Sequence, residues 1–261
     1  MKKIIFLIVL VFIIYGVSTT NNQELINQIL TKIFDDQVEL IKASYVTLER
    51  MRMEALTTGT VTLASNGQAY SYDYGLEESQ KKTVAKSWSN PEADIIGDIV
   101  KYVEEMKAKG VVITRAICNS SVAKHFRTNN AIKNAVYVFA NGTVNVTTDR
   151  ALDFIYNETG VSFYVYDNVY VNENEEAVKY VPDNTVILLP DGELGKTHAG
   201  VTPEESDLMN SLAADVSLVD GYIAVTTHEE HDPVTVEMKV SMVGLPSFER
   251  ANEIVIIDTE K

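Results

Sequence analysis

From Gln23 to Leu56 the apolar residues Ile26, Ile29, Ile33, Val38, Ile41, Tyr45, Leu48 and Ala55 return at helical intervals with charged residues between them. That spacing predicts one long amphipathic helix, with Asp35-Asp36 as the point where an interruption would fall. The period then switches. In "GTVTLASNGQAYSYDYG", Gly59 to Gly75, Val61 and Leu63 alternate on one arm and Tyr70, Tyr72 and Tyr74 on the other, around Asn66-Gly67. Asn-Gly supplies the two positive φ values of a tight primed turn, so a β-hairpin is predicted. Both arms carry many polar residues, which predicts a hairpin projecting from the body, with its tyrosines packed on a neighbouring chain.

In "SNPEADIIGDIVKYVEEMKAKG", Asn90 offers a cap, Pro91 a first turn and Gly110 a stop, with Ile95, Ile96, Ile99, Val103 and Met106 as the apolar face. Beyond it come a strand "VVITRAI", a short helix "SSVAKHF" capped by serine, and strands within "AVYVFANGTVNVT". A helix "DRALDFIYNETG" precedes paired strands "VSFYVYDNVYV" and "AVKYVPDNTVILL" around the polar turn Asn172 to Glu176. Thr202-Pro203-Glu204-Glu205 forms a capping-box pattern opening a helix to about Ala214, and strands "GYIAVTT", "VTVEMKVSMVG" and "EIVIID" complete the chain. There is no internal repeat. The fold class is α+β, as one large domain or two intertwined ones, with an extended N-terminal half and a compact C-terminal half.

The 37 acidic and 22 basic residues leave a formal charge of -15, which repels phosphate backbones and argues against general nucleic-acid binding. Cys118, the lone cysteine, excludes an intrachain disulfide, and its apolar surroundings predict an inert buried thiol. Met1-Lys2-Lys3, the apolar run Ile4 to Tyr15 and Gly16-Val17-Ser18 have the layout of a secretory signal. The run is shorter than the roughly 20 residues of a membrane span. Sequons at Asn119, Asn141, Asn145 and Asn157 read more simply as turn and cap chemistry.

The stretch "NTVILLPDGELGKTHAG" ends an apolar run in Gly195-Lys196-Thr197 and so invites comparison with a phosphate-binding loop. Such a loop needs a glycine five residues before Gly195 and a helix starting at the Lys-Thr pair. Pro190 stands at the first position, and the next helix cap is Thr202. Both parts of the device fail. "THEEHDP" gathers His228, Glu229, Glu230, His231 and Asp232, yet its histidines are three apart, follow a strand-like run and precede Pro233, so a solvated polar turn is expected. Ser120-Ser121 near His125 lacks a nucleophile-elbow frame and reads as a helix cap. No catalytic, cofactor-binding or metal-binding residue is assigned.

The ordered series "TLERMRMEALTTGTVTL", "YSYDYG", "WSNPEADIIGDI", "GVSFYVYDNVYV", "YVPDNTVILLP", "GELGKTHAGVTPEE", "HDPVTV" and "GLPSFERANEIVIID" resembles the major capsid protein E family of tailed bacteriophages, the lambda-type capsid proteins. The resemblance runs from about Glu49 to Asp258. It implies the Hong Kong 97-type capsid fold, with an extended loop, a long spine helix, a peripheral domain and an axial domain. Carried over by motif, residues 59–75 would be the extended loop after an N-terminal helix at 21–58. The spine helix, Pro91 to Lys109, would lie within a peripheral region at 76–120. Residues 121–230 would be mostly axial, and 231–261 would close the peripheral domain. The implied function is a non-enzymatic head subunit that self-assembles, in hexamers and pentamers, into the icosahedral shell enclosing the DNA genome. Its further partners would be decoration, scaffold and portal proteins, and its location the virion head, assembled in the host cytoplasm. Family members carry an arm before the first helix where this chain has residues 1–20, which implies a truncated or altered N-terminus. The alternative expectation, from the signal-like segment, is a secreted or membrane-tethered β-rich binding protein.

Overall fold

The computed structural model describes residues 21–65, 68–137, 145–172, 174–210, 215–231 and 234–260. Helix α1, Asn21–Thr58, is unbroken over 38 residues. The interruption expected at Asp35-Asp36 is absent because two acids, one exposed and one half-buried, with no proline or glycine cost a helix little. Strands β1, Thr60–Ser65, and β2, Gln68–Asp73, pair antiparallel as the expected hairpin arms, with Ser65 opposite Gln68; the turn expected at Asn66-Gly67 lies outside the described residues. Strand β3 is Lys81–Thr83.

Helix α2, Ile95–Ala108, begins later than its proline suggests. Asn90 is not its cap: the Asn90 side chain accepts the Glu92 amide at 2.9 Å, and Asp94 caps the helix by accepting the Gly97 amide at 3.0 Å. Ile95, Ile99, Tyr102 and Met106 form its buried face. Strand β4, Ile113–Cys118, leads to helix α3, Ser120–Thr128, whose cap is Asn119 rather than the expected serine. Helix α4, Asn130–Val136, then occupies the start of a stretch expected to be strand. Its cap Asn129 is buried, accepts the Ile132 amide and donates to the Ala93 carbonyl, a tertiary tie that no local pattern announces. Helix α5, Thr148–Thr159, ends as predicted on Gly160 at φ 72°.

Strands β5, Ser162–Val165, β6, Val169–Val171, β7, Ala177–Lys179, and β8, Thr185–Pro190, follow. Only β6 and β7 pair with each other as expected. β5 and β8 do not pair: β4 lies between them in a five-stranded sheet of order β3, the terminal strand Val255–Asp258, β8, β4, β5. β8 is apolar on both faces because it is central, and its last five residues are buried. Val186 and Leu188 face a core that includes Trp88, Ile99, Cys118, Phe126 and Ile155. A second cluster collects Met53 and Leu56 of α1 with Ile117, Tyr180 and Val181.

Strand β9, Thr197–Gly200, helix α6, Pro203–Asn210, and strands β10, Asp215–Val219, β11, Ile223–His231, and β12, Val234–Pro246, come next, before β13, Val255–Asp258. Thr202 Oγ1 accepts the Glu205 amide at 3.2 Å, which is the predicted cap. Strands β10, β11, β12 and β9 form an antiparallel sheet. His228 to His231 lie in β11, paired with β12, so they are not the expected polar turn.

Two compact units result, one from Met1–Glu49 and Thr197–Pro246, the other from Arg50–Lys196 and Ser247–Lys261. Of the two expected arrangements, one large domain or two intertwined ones, the chain divides in the second way, and each unit is assembled from separated segments rather than from an N-terminal and a C-terminal half. Parallel pairing of β13 with β3, Ile256 opposite Lys81, draws the C-terminus into the second unit.

Candidate functional site

The hairpin β1–β2 is rooted in polar and apolar contacts and open along its arms. The Thr62 amide donates to Glu54 Oε1 at 3.0 Å, and the Tyr74 amide donates to the Gly59 carbonyl at 2.9 Å. Gly59 holds φ +80° with Leu76 packed so close that a Cβ would lie 2.5 Å from it, so the root needs glycine. Val61 is fully buried opposite Tyr72. Tyr74 packs edge-on against Phe248 at 5.9 Å and Tyr72 at 4.9 Å, and burial pushes its phenol pKa up. Further along β2 the burial ends: Tyr72 is 52% and Tyr70 60% exposed. Aromatic surface of this kind on an arm without a second sheet partner is suited to docking.

The stretch around Gly195-Lys196 is a fastened loop. A Cβ on Gly195 would lie 2.1 Å from the Ser247 carbonyl oxygen. The Lys196 amide donates to Ser247 Oγ at 2.8 Å, and its carbonyl accepts the Ser247 amide at 2.6 Å. Arg250 closes the loop by donating to the Asp191 carbonyl at 2.8 Å and the Glu193 carbonyl at 3.2 Å. The Lys196 amide that a phosphate would need is therefore occupied, and Thr197 opens a strand. Sequence reasoning missed Ser247 and Arg250, whose partners lie over 50 positions away.

Ser120, Ser121 and His125 belong to a polar knot centred on Asn119, which is fully buried. Its Oδ1 accepts the Ser121 and Val122 amides at 3.2 and 3.3 Å, while its Nδ2 donates to the Pro182 carbonyl at 3.1 Å and Asp183 Oδ1 at 2.8 Å. Asn184, at φ 60°, receives the Thr259 amide on its carbonyl and places its Oδ1 3.3 Å from His125 Nε2. Asp183 is held below the usual carboxylate range, first by the Lys179 hydrogen bond. The knot joins the start of α3, the start of β8 and the C-terminus. Cys118 beside it is buried, and desolvation pushes its thiol pKa up to about 12, so it stays protonated and unreactive.

The exposed tyrosines thus lie along a two-stranded hairpin, while Asn119, Ser121 and Lys196 act in a cap and a fastened loop and His228 to His231 lie in β11. Residues 9–259 match the family model of phage major capsid protein E, and the chain belongs to that family. The family points to a structural, non-enzymatic role in a shell.

Among solved structures, a candidate capsid protein of a prophage in Escherichia coli CFT073 superposes with a TM-score of 0.69 at 16% identity, over 93% of this chain and 71% of that one. A phage-related protein from Bordetella bronchiseptica RB50 gives 0.52 at 10% identity, over 85% of this chain and 64% of the other. These likenesses establish the fold. No curated protein matches the chain. The family match starts at Val9, inside the signal-like segment, so the exported alternative gains no support. Among the described residues no helix is long and apolar enough to cross a membrane. Residues 1–20, Asn141 and Asp232-Pro233 lie outside the described residues.

Proposed function

We propose that this chain is a subunit of a tailed-phage or prophage head that self-assembles into an icosahedral shell around the DNA genome. The family match over residues 9–259 carries the reading. Its location is the head, its main partner is itself, and decoration, scaffold and portal proteins are further partners. The surface is in keeping with this. Val38, Leu40 and Val46 on α1 are 46%, 42% and 40% exposed, and the hairpin adds Tyr70 and Tyr72. A neighbouring copy would supply the burial that these residues lack. An excess of negative charge suits a wall that contains DNA without adhering to it.

Within a Hong Kong 97-type arrangement, residues 59–75 serve as the extended loop. The spine role falls on α1 rather than on α2. A helix of 38 residues spans about 57 Å, against about 21 Å for one of 14. The antiparallel sheet β10-β11-β12-β9 then belongs to the peripheral domain, and the five-stranded sheet with its helices to the axial domain. Electron microscopy and sizing of protein expressed without residues 1–20 test the proposal. Shells or capsomer-sized rings are expected. A strictly monomeric product that also refuses to co-assemble with an intact relative refutes it. Tyr70→Ser with Tyr72→Ser is expected to weaken assembly while leaving the circular dichroism of the monomer unchanged.

A further inference from the structure

All 37 acidic residues lie outside residues 106–148, yet six of the 22 basic residues lie inside that interval. An acid-free run of this length in so acidic a chain is the strongest charge asymmetry in the sequence. Two of its cations, Lys124 and Arg127, stand exposed on α3 and form one wall of a groove of about 420 Å³. Neither has an ion-pair partner among the described residues. Leu152 of α5 and Tyr164 of β5 give the groove apolar surface, and Tyr164 is 63% exposed. Asp149 lines the groove as well, and Asp167 accepts the Ser120 amide at 2.8 Å. β5 is an edge strand, so one row of its backbone groups faces outward.

The same unit carries a feature of opposite character. Among the described residues the hairpin β6–β7 pairs with no other strand, and Val169, Val171, Ala177 and Lys179 share one face, with Val169 53% and Val171 66% exposed and Lys179 ion-paired to Asp183 at 2.6 Å. Its turn is preorganised: Asn172 Oδ1 accepts the amides of Asn174 and Glu176, both at 2.9 Å, and Glu175 sits at φ 63°. Glu175 and Glu176 project into solvent at the tip. The result is a short finger with exposed valines along one face and carboxylates at its end.

We infer that the acidic hairpin Val169–Lys179 of one copy docks in the Lys124–Arg127 groove of the next. Apolar surface meets apolar surface, and the tip carboxylates meet the two unpaired cations. Because finger and groove occur on the same unit but are different surfaces, the contact is head-to-tail, and when repeated it gives a ring where the rotation closes and an open filament where it does not. The inference deepens the shell reading and rests on it for the occupant. Complementary charge here sets orientation and partner choice.

The test uses the full chain in two differently tagged forms, Arg127→Cys and Glu175→Cys, mixed and treated with a short bismaleimide; native Cys118 is buried and serves as the unreactive background. A cross-link joining the two tags is expected in the mixture and in neither form alone. In parallel, Lys124→Glu/Arg127→Glu and Glu175→Lys/Glu176→Lys should each weaken association at least about tenfold by sedimentation, and mixing the two reversed forms should restore it. Unchanged Trp88 fluorescence shows that each variant is folded. Shells that form without the cross-link, or reversals that leave association unchanged, overturn the inference and leave the shell reading intact. Cross-linked pairs without shells uphold the inference and remove the shell reading. If neither forms, both fall. Loss of duplex-DNA binding in the Lys124→Glu/Arg127→Glu variant with self-association intact overturns the inference in favour of a polyanion site.

Discussion

Replacing Asn119 by alanine isolates the knot that ties α3, β8 and the C-terminus together. The side chain is fully buried and makes bonds in both directions. Losing Oδ1 removes the cap that holds the Ser121 and Val122 amides, a change worth about 0.5–2 kcal/mol. Losing Nδ2 leaves the Pro182 carbonyl and Asp183 short of a donor, and a buried group left unsatisfied costs about 1–3 kcal/mol. The two losses share one side chain and are not strictly additive, so Asn119→Ala should destabilise the second unit by about 2–4 kcal/mol. Trp88, the single tryptophan, is fully buried in the core of that unit and bonds through its indole N–H to Asp98, so its fluorescence reports on this unit's unfolding. With a urea slope of about 2 kcal/mol per M, the midpoint should fall by about 1–2 M. Asn119→Asp separates the two parts. It keeps the cap acceptor but sets a carboxylate beside Asp183, so its defect should shrink as pH falls and the new carboxyl protonates. A midpoint shift under about 0.3 M for Asn119→Ala would show that the knot is not cooperative and refute the reasoning.

Cys118 should resist thiol reagents at pH 8 in the native state and label fully in denaturant; rapid stoichiometric native labelling would contradict its burial. Tyr45 donates its phenolic proton to Asp220, and that bond raises its pKa to about 12 from the ordinary 10.0. Its contribution is therefore complete below about pH 10 and disappears as pH rises through about 12, a loss that Tyr45→Phe should abolish in far-ultraviolet dichroism. Glu204 is held below its ordinary value, first by a hydrogen bond from Lys239, so its contribution is present above about pH 4.5 and is lost as pH falls through the lowered value. Glu204→Gln should flatten that acid limb, and an unchanged acid limb would show that the pair does not link α6 to β12.

Local chemistry was legible wherever one residue decides the outcome. Asn66-Gly67 placed the hairpin arms, Gly160 stopped α5 and Thr202 opened α6, because in each case few residue types satisfy the geometry. Where several capping residues crowd together, the local pattern was ambiguous. Asn90 and Asp94 are both good caps, and Asn90 uses its oxygen in its own turn while Asp94 captures the helix. Long-range pairing left no local trace at all. Nothing in "KKT" announces that it will lie parallel to "IID" more than 170 positions later, and this pairing rather than any linker composition makes the second unit discontinuous. The groove was hidden for a related reason. Its cations lay in plain view three apart in an acid-free run, but only tertiary packing set Leu152 of α5 and Tyr164 of β5 beside them to make a groove. Family resemblance was legible from the order of short motifs, and the family match over residues 9–259 bears it out.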